Sequence, residues 1–423
     1  MSESGDGRSL GSRLRRLRGQ SDPGPVEPAG ASEPIAPTGR QPSFAERVQR
    51  LMVGPTVVRA RQPDPVALRD ALGAEEMAPG VLLIERRLDG RQRHGHGPLP
   101  DPDSIALAAL ADGLPGWDGA TASGGPLCCL DTETSGLAGG TGTWAFMTGL
   151  LTAEPDGWRL RQFLLTRLDA EPDYLAAVRA ALAGVGVLVS YNGRAFDAPL
   201  LTTRFRLAGQ PDPLAGLTHL DLLAPVRRAF GRVWPDCRLA SAESRLLGVV
   251  RQDDLPGAAA PAAWLGWMRQ GGIGPLAAVA RHNRWDLLSL AGLLPVLARA
   301  FSEPAALGAD PRAVAAHQAR LGRTGQAIRI LESDPRALGR EGLLELARLQ
   351  RRLGHLAAAC DIWQRLAAAG DPDARLALAK YHEHQTRDVA RALDLAAGLP
   401  DGSERERRCA RLRAKLTRRA RSD

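Results

Sequence analysis

An apolar run that stops at two acids sets the tightest limit on how this chain can fold. Leu127-Cys-Cys-Leu-Asp-Thr-Glu-Thr134 has the length of a strand, and alternation along a strand carries Asp131 and Glu133 to the same face. Two carboxylates at the end of a buried strand repel each other unless positive charge lies between them. A divalent cation meets that need, and oxygen ligands favour Mg²⁺ or Mn²⁺ over zinc. The same Asp-x-Glu would also serve as a plain cap on the following turn, so the reading depends on whether more carboxylates reach the same place.

The order of elements around this strand is that of an α/β domain. After a glycine-rich connection (Gly136, Gly139, Gly140, Gly142), apolar segments at residues 143–152 and 158–166 flank Glu154-Pro-Asp-Gly157, the signature of a hairpin. Residues 172–183 read as a helix with proline in its first turn and Gly184 as its stop. Val185 to Tyr191 is continuously apolar, as a strand buried on both faces must be. Asp197 to Leu207 is helical, Leu217 to Leu223 strand-like, and Pro225 to Phe230 helical again. Three strands in series followed by alternating helix and strand predict a mixed sheet flanked by helices, with a long helix over residues 276–301 completing the domain.

The flanks differ in kind. Residues 1–41 are Gly, Ser, Pro and Arg with few large apolar side chains, and are expected to be a disordered basic tail. Residues 42–124 are expected to form an N-terminal extension with a short helix opened by the capping box Ser43-Phe-Ala-Glu46 and a strand over Gly80 to Leu88. His94 and His96 lack a third ligand nearby and read as solvated loop residues. Residues 311–400 are rich in Ala and Leu at helical spacing. Gly354-His-Leu-Ala-Ala-Ala-Cys-Asp-Ile realigns with Arg387-Asp-Val-Ala-Arg-Ala-Leu-Asp-Leu 33 residues later, and Gly325-Gln-Ala-Ile-Arg-Ile-Leu lies 29 before the first. A period of this size resembles tetratricopeptide-type helical repeats, with a plain helical bundle as the alternative. Residues 403–423 are expected to form a basic C-terminal tail, helical or frayed.

The net charge of +8 belongs mainly to the ends: residues 1–61 hold +4 and residues 403–423 hold +6, leaving the body near −2. Such tails hold polyanions non-specifically, and they are also what an Arg-rich chain with two lysines produces without any such role. Five scattered cysteines without C-x-x-C spacing suggest neither a disulfide framework nor a zinc site. With no signal-like N-terminus and no continuous run of about 18 apolar residues, the expectation is a soluble, reduced, cytoplasmic protein without a membrane partner.

Further acids fall where ligand sites of open α/β sheets lie, beyond the carboxyl ends of strands. Tyr191-Asn-Gly-Arg-Ala-Phe-Asp197 links the buried strand to the next helix, and on the long helix His282 and Asp286 stand four apart and share a face. Asp131, Glu133, Asp197 and Asp286 would then converge as ligands for two metal ions about 3.5 to 4 Å apart, as in phosphodiester hydrolysis, with His282 taking the proton from the attacking water.

These three segments, in this order, resemble the three exonuclease motifs of the DEDD superfamily of 3′-to-5′ exonucleases, which have an RNase H-like fold. The second motif, with Thr218-His-Leu-Asp-Leu-Leu223, is similar to the proofreading domain of B-family DNA polymerases. The addition of a repeat tail resembles a group of bacterial RNase H-like proteins carrying tetratricopeptide-type repeats. The resemblance implies an RNase H-like exonuclease domain over 125–302 that uses two Mg²⁺ or Mn²⁺ ions on single-stranded DNA or RNA, with the repeats recruiting a protein partner or extending the nucleic-acid path. It departs from the family at one point. In the histidine class the base lies five residues before the last Asp, whereas His282 lies four before Asp286, the frame of the tyrosine class.

Asn192 is a candidate for contact with the nucleotide or for closing a turn, and Asp221 is expected to be structural. Trp144, Trp264, Trp267 and Trp285 would stack bases or fill the core. The rival functions are a nucleic-acid-binding protein that keeps the fold without catalysis, and an adaptor built on the repeats.

Overall fold

The computed structural model describes residues 62–105, 125–136, 142–335 and 338–420. The N-terminal tail, the capping box at Ser43 and the glycines Gly139 and Gly140 lie outside the described residues.

Helix α1 (Pro65–Leu72), capped by the Asp64 carboxylate, leads into β1 (Glu75–Ala78) and β2 (Val81–Leu88). A two-stranded ribbon follows, β3 (Arg93–His94) with β4 (Gly97–Pro98). Strands β5 (Leu127–Thr134), β6 (Ala145–Glu154) and β7 (Gly157–Leu165) form an antiparallel meander, with the expected turn at Pro155-Asp156. Helix α2 (Glu171–Leu182), β8 (Val187–Ser190), α3 (Asp197–Leu207), β9 (Thr218–Asp221) and α4 (Leu223–Phe230) then alternate. A short α5 (Leu239–Ala242) runs into a π-helical turn at Glu243–Leu247, and α6 (Ala260–Gln270) precedes the long α7 (Ile273–Ser302).

The sheet has seven strands in the order β1-β2-β7-β6-β5-β8-β9. Strand β5 is antiparallel to β6 and parallel to β8, which is parallel to β9, so the sheet is mixed as expected. The segment placed by sequence in an extension before residue 125 is part of the same sheet, since β2 pairs with β7 along its whole length, from Val81 opposite Leu165 to Leu88 opposite Trp158.

Alternation along β5 divides the core. Leu127 and Cys129 pack with Val187, Val189, Leu287 and Leu290 on one face, and Cys128 and Leu130 pack with Tyr174, Leu201, Phe205 and Trp264 on the other. By the same parity Asp131 and Glu133 emerge on the face that α7 covers. Helix α7 is, among the described residues, the one helix long and apolar enough to cross a membrane by length and composition. Its apolar character has a plain cause in the fold, because Leu287, Leu290, Leu294 and Leu297 are buried against the sheet and α4.

Beyond α7 the chain is all helical: α8 (Pro311–Arg320), α9 (Thr324–Glu332), α10 (Gly339–Arg352), α11 (Leu356–Ala368), α12 (Pro372–His384), α13 (Val389–Ala397) and α14 (Ser403–Arg419). The basic C-terminal stretch is helical over α14 rather than frayed, and is held in place by Arg408, Arg411 and Lys415 on the buried Glu383 carboxylate. One apolar core continues from the sheet through Phe301 and Ile328 to Trp363 and Leu378.

Candidate active site

Strand β8 is shorter than β5 and pairs with it only from Leu127 to Cys129, so the backbone of β5 beyond Cys129 has no neighbour on that side. Asp197 fills this gap. The Thr132 amide donates to its Oδ1 at 3.2 Å, and the Thr132 hydroxyl donates to the same oxygen. Thr132 thereby fixes the first residue of α3 against the strand that carries Asp131 and Glu133.

On the α7 face, Asn283 reaches the same strand. Its Nδ2 donates to the Asp131 carboxylate at 2.7 Å and to the Asp131 carbonyl at 3.2 Å, while its Oδ1 accepts from Gln162 Nε2 at 2.8 Å. Gln162 also donates to the Ala280 carbonyl, 2.7 Å away, tying β7 to α7. Room for Asn283 comes from Gly149, which faces Asp131 across the β5–β6 pair. A Cβ at Gly149 would lie 2.1 Å from Asn283 Oδ1.

The four expected carboxylates act on one another. Asp131 is held well above the usual carboxylate range, first by burial and then by Asp286, Glu133 and Asp197, against the Asn283 hydrogen bond. Burial pushes Glu133 up to about 8, with Asp286, Asp197 and Asp254 adding to it and Arg251 opposing. Asp197 is raised to about 6 by burial, restrained by the two Thr132 hydrogen bonds. Buried like charges that hold one another's protons constitute an unmet demand for positive charge.

Part of that demand is met within the chain. Arg251 donates from Nη2 to Glu243 Oε1 at 2.5 Å and to Asp286 Oδ1, and from Nη1 to Asp254 Oδ2 at 3.1 Å. Glu243 is fully buried and accepts a second hydrogen bond from the Ser289 hydroxyl. His282 Nδ1 lies 2.8 Å from Asp254 Oδ2 and 3.2 Å from Arg251 Nη1, so the ring is held by the same pair of residues that meet each other beside it. Nε2 is 3.7 Å from Asp286 Oδ2, so His282 stands beside the last carboxylate, as the i,i+4 spacing requires.

Other expected residues fall outside this group. Asp221 is structural: it accepts from the amides of Asn192 at 2.7 Å, Arg194 at 3.1 Å and Leu223 at 3.0 Å, closing the loop after β8 and capping α4. Asn192 takes a left-handed backbone (φ 66°), which Asn tolerates, so it closes a turn; its side chain makes no hydrogen bond among the described residues. Trp264 stacks on Phe146 and donates to the Leu165 carbonyl, Trp267 is buried, and Trp144 lies 4.0 Å beneath the Arg204 guanidinium. Trp285 borders the site, between Arg251 and Arg281. His94 is not solvated, contrary to expectation: the ribbon packs on the π-helical turn, His96 donates its amide to the Leu247 carbonyl, and His94 Nε2 lies 2.6 Å from Ser289 Oγ.

Sequence reasoning missed Glu243, Arg251, Asp254, Asn283 and Gly149. Asn283 was visible inside the His282–Asp286 motif. The segment 243–254 carries no periodicity that would flag it.

A hard divalent cation fits the chemistry of Asp131, Glu133 and Asp197, which offer only oxygens and repel one another without it. As they stand, no three His, Cys, Asp or Glu side chains among the described residues are drawn close enough to hold an ion, and one oxygen of Asp286 is taken by Arg251.

Residues 128–298, which include every one of these groups, match the family model of the RNase_H superfamily. YprB of Bacillus subtilis (strain 168), described as an uncharacterized protein, is 32% identical over 287 residues, 63% of this chain and 67% of YprB. RNase H-like nucleases generally use divalent metals, and the match points to nuclease or other nucleic-acid-related activity. By its mixed sheet, its strand-end acids and these two likenesses, the chain carries an RNase H superfamily domain over residues 128–298 and belongs to one family with YprB.

Proposed function

We propose that the protein is a metal-dependent 3′-to-5′ exonuclease acting on single-stranded DNA or RNA. The observation that carries this reading is the gathering of the buried Asp131, Glu133 and Asp197 at the end of β5, held there by Thr132 and Asn283 and raised by burial and by neighbouring carboxylates, in a chain with an RNase H superfamily domain. Asp131, Glu133 and Asp197 would hold a Mg²⁺ or Mn²⁺ ion, with Asp286 facing them across the site. Bound there, such an ion supplies Lewis-acid activation of water and charge neutralisation at the phosphate.

The chain's own residues prepare this chemistry. Thr132 and Asn283 fix two of the carboxylates before any ligand arrives, which lowers the cost of organising them. His282, held in place by Asp254 and standing beside Asp286, is positioned to accept a proton from the attacking water. Asn192 lies one residue beyond β8, where a terminal nucleotide would meet its free side chain. The all-helical region is proposed to be tetratricopeptide-like and to recruit a partner. It offers a cavity of about 530 Å³ lined by Arg351, Lys380, Arg408, Arg411, Trp363 and Tyr381.

The test is hydrolysis of 5′-labelled single-stranded DNA and RNA with Mn²⁺ or Mg²⁺, wild type against Asp131→Ala. Shortening from the 3′ end by wild type alone supports the proposal. A salt-sensitive gel shift without hydrolysis would replace it with a binding protein, and neither result would leave the helical region as the working part.

A further inference from the structure

Two ions are the expectation for four carboxylates, yet the position beside Asp286 is already occupied by a charge from the chain. We propose that Arg251 takes the place of the second cation, so that the site holds a single divalent ion, on Asp131, Glu133 and Asp197, with a fixed guanidinium beside it. This rests on the metal-dependent reading above and adds the number of ions and a role for Arg251.

The geometry argues that Arg251 is built in. Its two terminal nitrogens serve three carboxylates, those of Glu243, Asp286 and Asp254, from three separate stretches of chain. Each partner is itself held: Glu243 by Ser289, whose hydroxyl also meets His94, Asp254 by His282, and Asp286 by its place on α7. Glu243 is only 1% exposed, so an ion that pulled the guanidinium away would leave that carboxylate buried without a counter-charge. Burial works against the Arg251 charge, but Asp286 and Glu243 outweigh it and keep the group protonated.

Arg251 is not fully spent by these bonds. Its Nε is buried and has no hydrogen-bond partner among the described residues, leaving one donor of a guanidinium already fixed in place. Trp285, 5.7 Å from the Arg251 guanidinium, closes the other side. A chain that fixes an arginine beside a single ion places two positive groups at the site with only one ion bound.

The experiment counts Mn²⁺ bound to the full-length protein by isothermal titration and by electron paramagnetic resonance of free Mn²⁺, with folding followed by circular dichroism. Wild type should bind one ion, and Arg251→Lys should still bind one. Asp131→Asn should lose it. Arg251→Ala frees Asp286, Glu243 and Asp254, and should gain a second, weaker ion while hydrolysis falls by about 10²-fold. Two ions on wild type would overturn the assignment of Arg251 while leaving the metal-dependent reading intact. No ion on wild type would overturn both. Should Arg251→Ala fail to fold, the wild-type and Arg251→Lys counts decide the question alone.

Discussion

Gly149 is the residue whose replacement tests the site's construction most directly. It stands opposite Asp131 in the β5–β6 pair, and a Cβ there would lie 2.1 Å from Asn283 Oδ1 and 2.7 Å from Leu287 Cδ1. Gly149→Ala therefore drives Asn283 away from Asp131. Overpacking of this kind costs about 1–3 kcal/mol. Breaking the buried hydrogen bonds from Asn283 to Asp131 and from Gln162 to Asn283 adds about 1–3 kcal/mol. The expected loss is about 2–6 kcal/mol in urea or guanidinium unfolding followed by circular dichroism. The cause is separable from a general strand effect by a double-mutant cycle. In an Asn283→Ala background the nearest obstacle is the flexible end of Leu287, and Gly149→Ala should cost under about 1 kcal/mol more. Additive costs in the double variant, or a single-variant loss below about 1 kcal/mol, would refute the idea that Gly149 exists to admit Asn283.

Three further outcomes follow from the same structure. Asp254→Ala removes the carboxylate that holds His282 Nδ1 and should lower hydrolysis by about 10²-fold with Mn²⁺ binding retained, as read by single-turnover kinetics beside titration. His94 and His219 are both held down to about 4, chiefly by burial, against an unfolded value near 6.5. Their contribution is present above about pH 6.5 and lost as pH falls towards about 4, roughly 1–2 kcal/mol each once solvent screening is allowed for. The raised Asp131, Glu133 and Asp197 act in the opposite sense, so the check is the difference: a His94→Gln, His219→Gln variant should lose less stability than wild type between about pH 7 and about pH 5. Arg204 and Glu171 form a buried two-point ion pair at 2.5 Å joining α3 to α2, and Glu171→Ala should cost about 3–5 kcal/mol by thermal or chemical unfolding, whereas Glu171→Gln with Arg204→Met should recover most of it.

The strands and helices that carry the acids were legible because each has a local cause. The apolar run before Asp131, the turn at Pro155-Asp156 and the helix opening at Asp197 all follow from periodicity and turn chemistry, and the structure places them as read. What local reasoning could not supply was pairing across the sheet. That β2 lies on β7 joins the N-terminal segment to the domain through contacts about 80 residues apart, which no local pattern encodes. The reading of His94 failed for the same reason: its burial is made by the packing of Gly95 against Leu247, and a Cβ at Gly95 would lie 2.0 Å from the Leu247 carbonyl oxygen.

The spacing of His282 from Asp286 shows how an irregular segment completes a regular one. Four residues apart on α7, the two side chains are stacked on one face, one turn from each other, with Asn283 turned toward the sheet. A histidine in that frame needs partners for its ring from outside α7 if it is to keep one orientation. The segment after the π-helical turn brings Asp254 to Nδ1 and, three residues earlier in sequence, Arg251 to Asp286. The same short stretch therefore orients the histidine ring and places positive charge on the carboxylate one turn along α7. Moving His282 to the five-residue spacing would rotate it by about 100° around α7, away from Asp254. An Arg281→His, His282→Ala variant should for that reason fail to restore the hydrolysis lost in His282→Ala. Recovery of the rate by that shifted histidine would show that Asp254 does not orient the ring.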